Sequence, residues 1–343
     1  MRYITCKSIT LENIIQNRHI DGDLISVAAA YPFRASPQYA ELILQPGDAI
    51  WRQCIPDVRE LDDCGQLPDP LSEASLSPAP GLIHRYPDRA VLLVSNRCPV
   101  YCRFCMRKRH VGAGDAPLSR DALNQAMTYI AANSAIHDVI LSGGDPLMLD
   151  DASLCHILSQ LRAINHVKII RIGTRMPVTL PDRVTAELCS MLKRFHPIYV
   201  NTHFNHPDEI TSKSAKACHQ LADAGIPLGN QTVLLRGVND DVEIMKYLMT
   251  GLLELRVKPY YIHQMDLVKG TAHFRTPVSK GLEIIRALRG HVSGMAVPHY
   301  VIDLPDGKGK VPILPDSVEQ EGDTFFLTNY QGKKIAYRDI GGL

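Results

Sequence analysis

The feature that most constrains this chain is an alternation that begins at Ala90. Short apolar and β-branched runs fall at Ala90–Ser95, Asp138–Leu141, Lys168–Ile172, Ile198–Thr202, Leu228–Leu235 and Lys258–Ile262, the length and composition of buried strands. Between them apolar residues recur at three- and four-residue intervals. Leu154, Ile157, Leu158 and Leu161 share one face of the segment starting at Asp151, the spacing of an amphipathic helix. Asp182–Phe195, Ser212–Ala224, Asp241–Leu255 and Ser279–Arg289 behave alike. Six strands alternating with six helices imply a parallel sheet with right-handed crossovers. Six units are too few to close an eight-fold barrel. The expected fold is therefore α/β, an open partial (β/α)6 barrel with ligands at the C-terminal ends of its strands.

The flanks read differently. The first ninety residues are rich in proline, with helical candidates at Leu11–Asn17 and from Pro37 onward, then an extended arm from Leu67 to Gly81. After Val297 a Gly/Pro loop, Asp303-Leu-Pro-Asp-Gly-Lys-Gly-Lys-Val-Pro, precedes a hairpin over Phe325–Tyr337 that turns near Gln331-Gly332. The expected division is an N-terminal helical extension and arm (1–89), the partial barrel (90–300) and a short C-terminal loop–hairpin segment (301–343).

A net charge of +1 over 343 residues gives no electrostatic reason to expect nucleic acid or an anionic membrane as partner. No apolar stretch reaches membrane-span length, and the N-terminus lacks a signal pattern, so the cytoplasm is the expected compartment. Nine cysteines, an odd number without a signal, argue against a disulfide framework. Cys6, Cys54, Cys64, Cys155, Cys189 and Cys218 are scattered singly; three are clustered.

The cluster reads Asn96-Arg-Cys98-Pro-Val-Tyr-Cys102-Arg-Phe-Cys105-Met-Arg-Lys-Arg-His and follows the first barrel strand directly. Soft thiolates suit zinc or the iron of an iron–sulfur cluster. A structural zinc site needs four ligands; three thiolates on a four-iron cluster leave one iron open to chelate a methionine moiety. The competing reading is a zinc knuckle completed by His110. One βα unit later, Leu141-Ser142-Gly143-Gly144-Asp145-Pro146 ends a strand. Glycines there admit a close backbone approach to a ligand, and Asp145 offers a carboxylate to an ammonium.

From about Asp69 to Asp316 the sequence resembles the lysine 2,3-aminomutase family of radical S-adenosylmethionine enzymes. The resemblance is carried by Pro80-Gly-Leu-Ile-His-Arg-Tyr-Pro-Asp-Arg, the cysteine segment, Leu-Ser-Gly-Gly-Asp, Arg171-Ile-Gly-Thr-Arg-Met-Pro-Val and Asn201-Thr-His-Phe-Asn-His-Pro. It continues through Gly229-Asn-Gln-Thr-Val-Leu-Leu-Arg-Gly-Val-Asn-Asp, Lys258-Pro-Tyr-Tyr-Ile-His-Gln-Met-Asp and His273-Phe-Arg-Thr-Pro-Val-Ser-Lys-Gly. It implies a [4Fe-4S] cluster on Cys98, Cys102 and Cys105, with S-adenosyl-L-methionine held by Ser142, Gly143, Gly144, Asp145, His203, Asn230 and Gln231. It also implies pyridoxal 5'-phosphate attached to the catalytic Lys310, with Arg85, Tyr86 and Arg89 at its phosphate. Lys308 is the neighbour most easily confused with Lys310.

The resemblance further implies that Arg107 clamps the substrate carboxylate while Asp266 and Asp303 receive the side-chain ammonium of L-lysine. Lys108 and Arg109 read instead as a solvated basic turn. Paired carboxylates offset the desolvation of a buried cation. The implied activity is that of an isomerase interconverting L-lysine and β-lysine by 1,2-amino migration, with an external electron donor.

Two departures from the family pattern stand out. His263 occupies a position that is tyrosine in the usual family pattern, and Asp241 stands where the full-length mutases have a zinc-binding cysteine, so no structural zinc is expected. Pairing with copies of the same chain is left open. So are an aminomutase acting on another amino acid or on a lysine of translation elongation factor P, and a non-catalytic iron–sulfur or zinc protein.

Overall fold

In a computed structural model, which describes residues 1–12, 14, 24–62, 65–112, 114, 116–315, 318–322 and 324–338, nine strands form one curled sheet in chain order. They are β1 (Leu82–Tyr86), β2 (Arg89–Ser95), β3 (Asp138–Gly143), β4 (Ile169–Gly173), β5 (Ile198–Thr202), β6 (Leu228–Leu234), β7 (Val257–Gln264), β8 (His299–Asp303) and β9 (Lys310–Pro312). Strands β2 to β8 run parallel, and the antiparallel β1 and β9 close the two edges. The expected half-open α/β barrel is present, with one difference. A seventh parallel strand, β8, follows the six read from the sequence. Its apolar run is Tyr300-Val-Ile302, flanked by His299 and Asp303.

Side-chain alternation divides the sheet into two environments. Val139, Leu141, Ile170, Ile172 and Val200 point outward and are fully buried against the helices. Their neighbours Ser142, Arg171, Gly173 and Asn201 point to the concave side, as the two-residue period of a strand requires. The apolar core lies between sheet and helices, and the concave side is left for polar chemistry.

The helices start where their caps dictate. Asp150 accepts from the Ser153 backbone N–H at 2.8 Å and opens the helix Asp151–Arg162. Leu154, Ile157, Leu158 and Leu161 are fully buried on it, each contributing about 1.5–3 kcal/mol by removal from water. Asp241 accepts from Glu243 and Ile244 at 2.8 and 3.0 Å and caps Val242–Glu254. An N-cap is thus the structural duty of Asp241.

The expected helix Leu11–Asn17 lies largely outside the described residues, as does Cys64; the candidate from Pro37 is one turn, Pro37–Ala40. The hairpin is present as β11 (Thr324–Thr328) and β12 (Lys334–Arg338), joined by β10 (Val318–Glu321) into a separate three-stranded sheet. Among the described residues no helix is long and apolar enough to cross a membrane.

Candidate active site

The concave face of the sheet borders a cavity of about 720 Å³. Every residue expected to bind a cofactor, a substrate or a metal borders it, except Asn230. That side chain is fully buried. It accepts from the Phe204 backbone N–H at 2.7 Å and donates to the Phe204 carbonyl and to Thr232 Oγ1 at 3.1 and 2.8 Å. Asn230 shapes the loop after β5, and its neighbour Gln231 faces the cavity instead, again by strand alternation.

Cys98, Cys102 and Cys105 are free thiols on one wall. Burial, reinforced by Asp145 and the other two thiols, pushes Cys98 well above the ordinary thiol range; burial pushes Cys105 up to about 11. These thiolates require nearby positive charge to form. Among the described residues no three His, Cys, Asp or Glu side chains are gathered as one metal ion demands.

The Ser142-Gly-Gly-Asp145 turn is built against the start of the cysteine loop. A Cβ on Gly143 would lie 2.2 Å from the Ser95 carbonyl oxygen, and one on Gly144 2.5 Å from that of Arg97. The chain's own backbone makes a close approach at these glycines, which also border the cavity. The Asp145 carboxylate is equally committed: it accepts from Leu147 N–H at 3.0 Å, Thr174 hydroxyl at 2.7 Å and Arg175 N–H at 2.8 Å. It ties its own turn to the segment that follows β4.

At the far side, β9 brings Lys310 into the cavity while Lys308 stays in solvent beside Asp306. Lys310 Nζ pairs with Asp303 and lies 3.2 Å from His263 Nδ1. Asp303 also meets Arg85 Nη1 at 3.3 Å. Burial opposes its ionisation, but the His263 hydrogen bond and the Lys310 charge hold it well below the ordinary carboxylate range. Asp266, buried and within reach of the Asp303 charge, is pushed the other way, up to about 7. Two carboxylates in one corner are thus pushed in opposite directions because one holds the cations. Tyr86 Oη accepts from the Lys310 backbone N–H at 2.8 Å, and Arg89 lies 4.3 Å over the Tyr86 ring.

Arg107 borders the cavity beside Ser142, with Nη1 3.2 Å from Ser142 Oγ. Its other edge is taken by Glu73, Nη2 to Oε1 at 2.7 Å and Nε to Oε2 at 3.1 Å. The solvated turn expected of Lys108 and Arg109 is not found. Lys108 is buried, donating to Glu60 Oε2 at 2.5 Å and to the Arg103 and Gly270 carbonyls at 2.8 and 3.2 Å; burial lowers it to about 8. Arg109 is anchored to Asp69 at 3.0 Å. Local sequence could not reveal this, since the partners lie in the proline-rich arm and the N-terminal layer.

The model of the Radical SAM superfamily matches residues 92–248, and that of Lysine-2,3-aminomutase matches residues 285–340. L-lysine 2,3-aminomutase of Fusobacterium nucleatum is 52% identical, the alignment covering 89% of this chain and 72% of the relative. The enzyme of the same name from Clostridium subterminale is 51% identical over 89% and 74%. This chain belongs to the lysine 2,3-aminomutase family. Membership makes it an isomerase, an aminomutase, on the radical S-adenosylmethionine scaffold. The family is not uniform in substrate: glutamate 2,3-aminomutase of Clostridioides difficile is 46% identical over 96% of this chain and 79% of its own.

Three residues of this family member were given no role by its sequence. Glu73 pairs with Arg107, Glu60 with Arg103 and Lys108, and Arg175 reaches Cys102. Arg175 sits inside a quoted motif, and an arginine in the otherwise apolar Thr-Arg-Met-Pro-Val was the available signal. Glu60 and Glu73 carried none.

Proposed function

We propose that the chain interconverts L-lysine and β-lysine by 1,2-amino migration. It would hold a [4Fe-4S] cluster on Cys98, Cys102 and Cys105 and pyridoxal phosphate on Lys310, and bind S-adenosylmethionine. The observation that carries the substrate is the ammonium of Lys310 resting on Asp303, with Asp266 close by. This corner already pairs a primary ammonium with a carboxylate. The distal ammonium of lysine matches it, whereas the distal carboxylate of glutamate would meet like charge.

The donors suit the absent groups. Three thiols free of disulfides on one wall are soft ligands of the kind iron–sulfur clusters take. His263 Nε2 is buried without a partner beside Lys310, a polar atom suited to a ligand in that corner. Arg85 and Arg89 bring two guanidinium forks, the geometry that phosphate oxygens favour. When bound, the cluster and S-adenosylmethionine supply hydrogen abstraction, started by an external electron donor, and pyridoxal phosphate supplies a carrier for the migrating amino group.

The residues of the chain do the orienting. Arg107, two positions after Cys105, offers its fork to the α-carboxylate at the cysteine wall; Glu73 holds that fork in place. Asp303 and Asp266 take the far ammonium, so the substrate is pinned at both ends.

The test is an anaerobic assay with reductant, S-adenosylmethionine, pyridoxal phosphate and a panel of L-lysine, L-glutamate and protein-bound lysine. β-Lysine from free L-lysine, lost in Asp303→Ala, is expected. Turnover of glutamate instead would overturn the substrate. A pyridoxal absorbance band in wild type that persists in Lys310→Ala would overturn the lysine assignment.

A further inference from the structure

Arg175 stands at the end of β4, and its guanidinium reaches a sulfur. Nη1 lies 2.8 Å from Cys102 Sγ, and the side chain is only 8% exposed. Its aim is set by separate parts of the chain. Nη2 donates to Glu209 Oε1 and to Gln53 Oε1, both at 2.6 Å, and Nε to the His203 carbonyl at 3.3 Å. Glu209 is itself fixed, accepting from the Asn205 and His206 backbone N–H groups at 2.6 and 3.1 Å. A fork held at Nη2 by a buried carboxylate and at Nε by a backbone carbonyl has its remaining Nη1 donor directed at the thiol.

A charged N–H donor to a thiolate draws electron density away from the metal–sulfur bond. Hydrogen bonds to ligand sulfurs and local charge are what set the reduction potential of an iron–sulfur cluster. The geometry points to Arg175 as the residue that raises the reduction potential of the cluster through its hydrogen bond to Cys102, easing electron entry. This rests on the reading that Cys98, Cys102 and Cys105 hold that cluster. A purely structural arginine, clamping the N-terminal layer to the barrel through Gln53 and Tyr39, would leave the potential unmoved.

The experiment is a redox titration, followed by electron paramagnetic resonance, of the full chain reconstituted anaerobically with iron and sulfide. Arg175→Gln is expected to titrate at more negative potential than wild type. Arg175→Lys, which keeps a cation but loses the fork, is expected in between. Tyr39→Phe, which removes a hydroxyl 3.1 Å from Nη2 and leaves the donor to sulfur intact, is expected to titrate with wild type. An iron-loaded Arg175→Gln protein at the wild-type potential, or an equal shift in Tyr39→Phe, overturns the proposal. Should the arginine variants not fold, wild type labelled with 15N in the arginine guanidinium decides the matter. Its reduced cluster is expected to couple to 15N and to an exchangeable proton. Iron-loaded wild type without that coupling overturns the tuning role alone. Wild type that takes up no iron overturns the cluster reading and this role together.

Discussion

Arg107 and Glu73 form a two-point ion pair at 2.7 and 3.1 Å on the cavity wall, joining the cysteine loop to the proline-rich arm. Glu73 is 4% exposed, so neither charge is well served by water. Removing one partner of a buried pair leaves the other uncompensated, at about 3–5 kcal/mol. Glu73→Ala is expected to lower the free energy of unfolding by about 3 kcal/mol and to raise KM for lysine more than it lowers kcat. An unchanged urea midpoint would show that the pair is dispensable.

Glu60 faces two cations at once, Arg103 at 2.6 Å and Lys108 at 2.5 Å, and is fully enclosed. Glu60→Gln leaves two buried positive charges on one neutral amide. It is expected to destabilise by at least about 3 kcal/mol and, because Arg103 lies between Cys102 and Cys105, to reduce iron bound per chain on reconstitution. Full iron loading with wild-type stability would refute this.

Asp266 gives the cofactor-free chain a pH dependence of definite sign. The folded state keeps its proton up to about pH 7, whereas the unfolded chain loses it near about pH 4. Between those values the folded state binds more protons, so this group's contribution to stability falls as pH rises and levels off above 7. Asp266→Asn cannot ionise. Its stability relative to wild type is therefore expected to climb across the same window, read by urea unfolding at about pH 5 and about pH 8. A constant difference would contradict the assignment.

Asn230 and Gln231 separate by one residue what strand alternation separates by a face. Asn230→Ala removes three buried hydrogen bonds and is expected to cost stability of about 1–3 kcal/mol, with S-adenosylmethionine binding retained in whatever protein folds. Gln231→Ala is expected to weaken that binding at nearly unchanged stability. Calorimetric titration of both variants distinguishes them, and the reverse pattern would restore Asn230 to the site.

Much of this was legible in one dimension. The apolar periods of the six strands and of helices such as Asp151–Arg162 announced the half-barrel, because burial on one face repeats locally. The three closely spaced cysteines announced their own wall, since gaps of three and two residues keep them together in any compact loop. Ser142 to Asp145 border the cavity, and the same glycines and carboxylate also meet the chain's own backbone; no local pattern distinguishes a ligand from a neighbouring strand.

By itself the sequence determined the strand–helix alternation, the clustering of three cysteines and, through short motifs, the family to which the chain belongs, each read from residues near one another along the chain. Only the tertiary structure decided which charges are free. Lys108 is buried, Asp145 is saturated, Arg107 is half occupied, and Asp303 outcompetes Asp266 for Lys310. Glu60 for Lys108, Thr174 for Asp145 and Glu73 for Arg107 are partners tens of residues away, and Lys310 meets Asp303 only because β9 folds back on β8; the strength of a charge depends on which partner shares its low-dielectric surroundings.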